Sequence, residues 1–503
     1  MEQIDETLWD VVISGTGLQQ SLLALALSRS GKKILHVDRN DYYGGPEAAF
    51  SLGEAEAWAK KVNEEPMTGL PFEAAEIVDY SIDEESDGKH KLGLPRAYTL
   101  SLAPHLLYSR AKILSTLVTS KVFRQLEFLA VGSWWLYKPE DASSVAGLTR
   151  IPSGREDIFA DDSMPTKSKR ALIKFLRNLM QPPEGESASS DDLDLPVAEY
   201  LKSKFQVPEQ LCDPIISLAL SSECASKAPA SYVLPRVKRH LSSIGMLGPG
   251  FGAVITKWGG DSEIAQVSCR ACAVGGGIYM LGHGIEAVTD SKDPNARFSV
   301  KLSEGTTVQC KTLVGSPWNL PRSVLKEDDA KFAKAARSIT IVSSSLQNLF
   351  PQTSEAGPLP AAAVVFLPGD PPVYLIVHSS DTGECPTGQC VIYASTSLSG
   401  DDGYKLLETS VENTVRAADP HGKILWTLKY TAIGVAFDQD ASCHQGGLPD
   451  VHVFPPPSLD VAMDDAILDQ VKGIWDSLVK DDASQSSFMV FEDREPVDDE
   501  DEE

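Results

Sequence analysis

The sequence predicts an α/β fold with α+β elements: a Rossmann-type domain carrying an antiparallel sheet, plus a small inserted all-helical domain. Three observations predict it. Residues 11–45 read as strand, glycine turn, helix and strand, the opening of a dinucleotide-binding unit. From about residue 153 to 243 alternation disappears and helical periodicity takes over. From 298 to 440 short alternating strands return, separated by Gly/Pro/Ser/Asp loops.

In the first unit, Val11, Val12 and Ile13 form an apolar strand leading into Gly15-Thr16-Gly17, where small residues allow a tight turn. A helix follows, with Leu18, Leu22, Leu25 and Ala26 at helical spacing and Leu23 and Leu27 widening the buried face. Gly31 is placed to end that helix as a C′ residue. Residues 34–38 form the second strand, and Asp38 lies about 20 residues past the glycines, where an acidic side chain accepts ribose hydroxyls. The dinucleotide fingerprint is G-x-G-x-x-G, and its third glycine is Gln20 here. A glutamine fills space that the pyrophosphate needs. Gly15, Gly17 and Asp38 are therefore expected to be structural relics of a nucleotide turn.

A chain of 503 residues, 42% hydrophobic, can bury a large core and is expected to form two or more domains. No run approaches about 18 apolar residues, so no membrane span is expected. The acidic N-terminus lacks the features of a signal peptide, and neither end carries a lipidation motif, so neither leader nor anchor is expected. Eight cysteines in so long a chain suggest a reducing compartment rather than a disulfide framework. With 45 basic against 71 acidic residues, net charge −26, nucleic acid is excluded as a partner. The acidity suits a cytosolic protein; it serves either solubility or a basic partner.

The remaining elements follow in order. Residues 51–59 can cap and start a helix, and 83–89 form a polar loop. Arg96–Leu102 alternates as a strand, 104–122 reads helical, and Ser133–Lys138 is an aromatic strand whose Trp134 and Trp135 belong to packing. Helices are expected at 165–181, with Leu172, Ile173, Leu176 and Leu179 on one face and lysines and arginines on the other, and at 197–205, 209–220 and 232–241. The basic face is either simply solvated or a surface for a partner or lipid headgroup. Such bundled helices can also open an apolar groove for a chain-like ligand. Glu263 and Arg270, seven apart, share one face of any helix between them and can pair with each other. The lone Cys269-x-x-Cys272 has no second Cys/His pair nearby, so no metal site is expected. Strands are expected at 298–302, 307–313, 338–344, 364–367, 373–378, 389–396 and 426–435, forming an antiparallel sheet that caps the first domain. An amphipathic helix at 460–479 precedes an acidic, disordered tail. The domains are then 1–152 with 244–480, 153–243, and the tail 481–503.

The run GTGLQQSLLALALSRSGKKILHVDRNDYYGG resembles the opening of the family that joins Rab GDP-dissociation inhibitors and Rab escort proteins. The block from Glu263-Ile264-Ala265-Gln266 through Arg270 to Met280-Leu281 is similar to that family's second hallmark, and 119–128 is a third match. The resemblance implies the fold of FAD-dependent oxidoreductases with the flavin site lost and no catalytic residue. It implies a platform that grips GDP-bound Rab GTPases, carried over as Tyr43, Glu263, Arg270, Met280 and Gln266. Two departures stand out: Ala265 replaces the family's proline, and 248–258 is longer and richer in glycine. The stretches 148–159 and 169–176 look more like the escort branch than the inhibitor branch. That branch implies three partners: GDP-bound Rab, the Rab geranylgeranyltransferase heterodimer and the geranylgeranyl lipid on Rab. It also implies a cytosolic protein with transient peripheral membrane contact. The competing expectations are an inhibitor that recycles prenylated Rab and an FAD-dependent oxidoreductase.

Overall fold

The computed structural model describes residues 4–64, 70–80, 91–139, 147–152, 158, 164–181, 190–326, 332–352, 359–435, 444–479 and 487–492. The predicted loop at 83–89 and the acidic tail apart from residues 487–492 lie outside the described residues.

The N-terminal unit forms as its residues dictate. Strand β1 (Leu8–Ser14) runs into helix α1 (Leu18–Leu27), which returns to strand β2 (Ile34–Asp38). Nine of the ten α1 residues are buried, so its apolar sequence reflects packing on several sides. Helix α1 stops at Leu27, the last of its periodic apolar residues, with Ser28 as its C-cap; Gly31 is not its C′ residue but turns the chain toward β2 at φ +72°. Helix α2 (Leu52–Glu64) begins with a capping box in which Ser51 and Glu54 bond each other's backbone N–H groups.

Two predicted elements shrink. Within 96–102 only Leu100–Ser101 pairs as a strand, because Pro95–Ala97 coils into a 3₁₀ turn. The expected helix at 104–122 reduces to α3 (Lys112–Thr119), since Leu107–Tyr108 joins a sheet. Strand β3 (Phe128–Lys138) is longer than expected; Trp134 is 6% exposed and Trp135 bonds the Leu349 carbonyl, so both tryptophans pack.

Between the strand Gly147–Arg150, paired to β3, and the next strand at Ala253–Thr256, the regular elements are helical. They include α4 (Thr166–Met180), α5 (Cys212–Ala219) and α6 (Ala230–Ser243). Helix α7 (Asp261–Val274) then packs on α1 and leads into strand β4 (Ile278–Leu281).

Among the described residues there are two large sheets. In the first, β4, β2, β1 and β5 (Thr307–Gly315) lie side by side, all parallel, and Phe298–Leu302 and Ile285–Asp290 extend it antiparallel. The second has ten strands and is antiparallel except where β3 meets Ala362–Leu367. The strands predicted after 298 are present, but the first two belong to the other sheet, and β5 pairs parallel with β1. Alternation marks a strand without naming its neighbour. Two helices among the described residues were not expected: the single turn Ser190–Leu193, and α8 (Gly400–Ala418), which covers the ten-stranded sheet through Tyr404, Leu407, Val411 and Val415. The final helix, α9 (Ala466–Val479), packs on α1 and sends the Trp475 N–H to the Ala26 carbonyl.

Candidate functional site

The site grows from the carboxyl end of β2, where ligands bind in open α/β sheets. Asp38 is 1% exposed, and its carboxylate is fully engaged. One oxygen accepts the Thr16 N–H at 2.6 Å and the Thr16 hydroxyl at 2.7 Å. The other accepts the Asn40 N–H at 2.8 Å and the Asn40 amide at 3.0 Å. Burial raises the carboxyl's pKa, and these donors oppose the rise. The expectation that Asp38 faces ribose hydroxyls is corrected: its lone pairs are used inside the protein. The Thr16 hydroxyl also accepts the Gly44 N–H at 3.1 Å, tying the loop after β2 to the glycine turn.

The phosphate seat is filled as well. A helix N-terminus attracts an anion through its unpaired N–H groups. Here the Glu47 carboxylate takes that place, accepting the Leu18 N–H at 3.0 Å. A Cβ on Gly17 would lie 2.9 Å from the Gln20 amide oxygen, 3.2 Å from the Glu47 carboxylate and 3.4 Å from the Pro46 ring. Gly15, at φ +90°, has the Asn319 side chain against it, and Gln20 donates to that side chain at 3.4 Å. A dinucleotide pyrophosphate does not fit among these side chains. Enclosure pushes Glu47 up to about 7, Asp261 adds to the rise, and the Leu18 N–H and His105 oppose it.

The loop braced in this way carries two tyrosines with different fates. Tyr42 packs edge-on to Phe50, ring centroids 5.0 Å apart, within a chain of aromatics that continues to Trp58. Tyr43 stays partly open beside Tyr279, with centroids 6.3 Å apart. Lys61 holds the Asn40 amide oxygen at 3.0 Å, and the Asn40 and Asp38 carbonyls receive the Gly282 and His283 N–H groups. Tyr43 is thus presented by a loop with little freedom to move.

Helix α7 supplies the next side chains. Its 263–266–270 face is the one left by packing on α1: Gln266 and Arg270 are exposed and Glu263 is half-buried. Glu263 and Arg270 attract each other, because Arg270 opposes the rise that burial imposes on the Glu263 carboxyl. No ion pair within 4.0 Å joins them among the described residues. Arg270 instead meets the Gln125 amide oxygen at 3.5 Å, and its charge also opposes the burial-driven rise of the Tyr43 hydroxyl. Tyr43, Glu263, Gln266 and Arg270 therefore converge. Met280 does not join them: on edge strand β4 it packs with Val12, Leu35 and Val37 on one sheet face, whereas Tyr279 turns to the other, toward His36 and Tyr43. The period of two along 278–280 contained this distinction. Gln125 and Tyr279 were not singled out, although both lie in blocks noted for resemblance.

Cys269 and Cys272 are buried on α7, and burial pushes their thiols up to about 12 and about 11. Among the described residues no group of three or more His, Cys, Asp or Glu side chains could hold a metal ion. Arg270 also borders a cleft of about 310 Å³ whose wall includes Arg29, Lys121, Arg124 and Phe491.

A second, larger cleft lies among the helices. It encloses about 640 Å³, within the range of ligand sites. Leu172, Ile173, Leu176 and Met180 of α4 form one wall, and Pro214, Ile215 and Leu218 of α5 another. Leu136 of β3, Ile151 and Ile244 complete it, with Lys138, Arg150 and Arg177 also in the lining. Of the four residues predicted on the apolar face of α4, Leu172, Ile173 and Leu176 line this space and Leu179 does not, while Arg177, predicted on the basic face, does.

Comparison with known proteins follows the same lines. A family model described as GDP dissociation inhibitor matches residues 4–419. Rab proteins geranylgeranyltransferase component A of Candida albicans is 28% identical over 77% of this chain and 59% of its own length. The Saccharomyces cerevisiae protein of that name is 27% identical over 80% and 64%. The chain thus spans about three fifths of the length of these relatives. A guanosine nucleotide diphosphate dissociation inhibitor of Arabidopsis thaliana is 26% identical over 80% of this chain and 83% of its own. Among solved structures, Rab GDI from Plasmodium falciparum superposes with a TM-score of 0.67 at 19% identity, covering 93% of this chain and 98% of that one. An oxidoreductase from Methanosarcina mazei superposes with a TM-score of 0.58 at 13% identity, covering 93% and 100%. The fold is therefore shared with Rab GDI and with an oxidoreductase.

Proposed function

This chain belongs to the GDP dissociation inhibitor family, and from that premise we propose that it is an escort protein for Rab GTPases. It binds newly made GDP-bound Rab, presents it to the Rab geranylgeranyltransferase heterodimer and delivers the prenylated product to membranes. It is a non-catalytic accessory component, cytosolic with transient membrane contact, and it works without FAD. The observation that carries this reading is the coexistence of two features. The nucleotide cradle is closed by Asp38, Gln20 and Glu47 around a loop that presents Tyr43 beside Arg270. A separate apolar cleft of about 640 Å³ lies among the helices.

The two features suit two tasks. Aromatic and arginine side chains on a braced surface dominate protein interfaces, and Glu263 offers a charge for a Rab cation. Sheltering an isoprenoid is a hydrophobic task worth roughly 0.8 kcal/mol per methylene, and the walls of α4 and α5 supply the surface. The relatives named for component A of the transferase support the escort branch. No described helix is long and apolar enough to cross a membrane.

The deciding experiment is reconstituted geranylgeranylation: transferase heterodimer, GDP-Rab and labelled lipid diphosphate, with and without this chain. Marked stimulation is expected; none would overturn the escort reading. The Arabidopsis inhibitor favours recycling as the second reading. A chain that extracts prenylated GDP-Rab from membranes without supporting prenylation would establish it. Retention of stoichiometric FAD after gel filtration would overturn the cofactor-free reading.

A further inference from the structure

Of eight tryptophans, seven are buried or half-buried, and Trp258 is 41% exposed. It is also held in an unusual backbone conformation, φ +66°, which bulky side chains seldom adopt. The surroundings enforce it. The Trp258 N–H bonds the Thr382 carbonyl at 3.1 Å, and the Lys257 N–H bonds the Glu127 carbonyl at 2.9 Å. The indole lies on Gly383, where a Cβ would come within 2.6 Å of Cδ1 and Nε1. The Lys257 ammonium sits 4.5 Å from the ring centroid and is itself fixed by Glu127 at 2.6 Å. An exposed aromatic ring with its conformation already fixed loses little entropy on contact, the property of an interface anchor.

Its position decides what it contacts. Trp258 stands three residues before the start of α7, and a Cβ on Gly259, the first of the two intervening glycines, would lie 3.2 Å from the Glu263 carboxylate. A strip of half-buried and exposed side chains joins it to the platform: Lys257 bonds Glu127, and Gln125, two residues back, meets Arg270. The ring is therefore continuous with the surface formed by Glu263, Gln266 and Arg270.

We infer that Trp258 is an additional anchor of the GTPase-binding platform, taking an apolar patch on GDP-bound Rab that is bordered by charge. This rests on the proposed function and extends its surface beyond the residues that resemblance singled out. The test uses full-length Trp258→Gly, which removes the ring and relieves the positive φ, together with Arg270→Ala and Trp258→Phe. GDP-Rab affinity is measured by titration, and thermal midpoint and sedimentation are followed in parallel. The expected result is at least a tenfold loss of affinity for Trp258→Gly, an unchanged or higher midpoint, and partial recovery for Trp258→Phe. If Arg270→Ala weakens binding and Trp258→Gly does not, the inference fails and the platform stands. If neither weakens binding, the platform reading fails with it. A change confined to self-association would assign the ring to a second copy of the chain and overturn the inference.

Discussion

The surface around Tyr43 and the helical cleft are built by opposite means, which under the proposed function would serve specificity and capacity. At Asp38 both carboxylate oxygens are engaged by Thr16 and Asn40, and the Thr16 hydroxyl holds the Gly44 N–H, so the loop that presents Tyr43 is braced at several points. In the cleft, Leu172, Ile173, Leu176, Ile215 and Leu218 present non-directional apolar surface that a flexible chain can occupy in more than one pose. A protein surface with distinct neighbours must be recognised by fixed geometry, whereas an oily chain needs only area removed from water. The two regions should therefore respond differently to the same size of perturbation.

The sharpest separation is expected from Leu176→Glu, which sets a carboxylate on the half-buried cleft wall. Affinity for geranylgeranylated Rab should fall about a hundredfold, from the cost of burying an unpaired charge, while affinity for unprenylated GDP-Rab is unchanged. Equal losses for both would erase the division. Next in size, Asp38→Ala removes a carboxylate that receives four hydrogen bonds and leaves the Thr16 and Asn40 donors unpaired. A loss of about 2 kcal/mol in urea unfolding is expected, together with weaker Rab binding because Tyr43 is no longer positioned. Wild-type stability would show that the brace is decorative.

Arg270→Ala should lower affinity about tenfold, or 1.4 kcal/mol, equally for prenylated and unprenylated Rab, without shifting the thermal midpoint. Within the chain the exposed guanidinium has a 3.5 Å contact to Gln125 and a longer-range attraction to the half-buried Glu263 to lose. The smallest effect concerns Glu47. Its carboxyl is pushed up to about 7 from an ordinary value near 4.5, so the folded protein binds this proton more tightly than the unfolded chain. That contribution is complete below pH 4.5 and is lost as pH rises toward 7. Relative to Glu47→Gln, the wild type should lose about 1 kcal/mol between pH 6 and pH 7. Parallel stability curves for the two proteins would refute the shift.

The platform was far more legible in the sequence than the cleft, and for a physical reason. Strand β2 and the face of α7 that bears Glu263 and Arg270 follow from local periodicity. The glutamine at position 20 announced a blocked cradle on its own. What periodicity could not reveal was partnership across sequence distance. Glu47 reads as part of a turn until it is found on the Leu18 N–H, and the parallel pairing of β5 with β1 has no local signature. Helix α8 was hidden among strands although Tyr404, Leu407, Val411 and Val415 have helical spacing. The cleft draws on β3, α4, α5 and residues near 244, so only the α4 face could be identified beforehand.

The carboxylate at the head of α1 has a consequence for supply. A fold whose helix terminus is satisfied by a dissolved ligand has a stability that rises and falls with that ligand's concentration. Glu47 is covalently part of the chain, so its local concentration at Leu18 is constant whatever the solution contains. The Leu18 N–H therefore has its acceptor at a local concentration set by the chain alone.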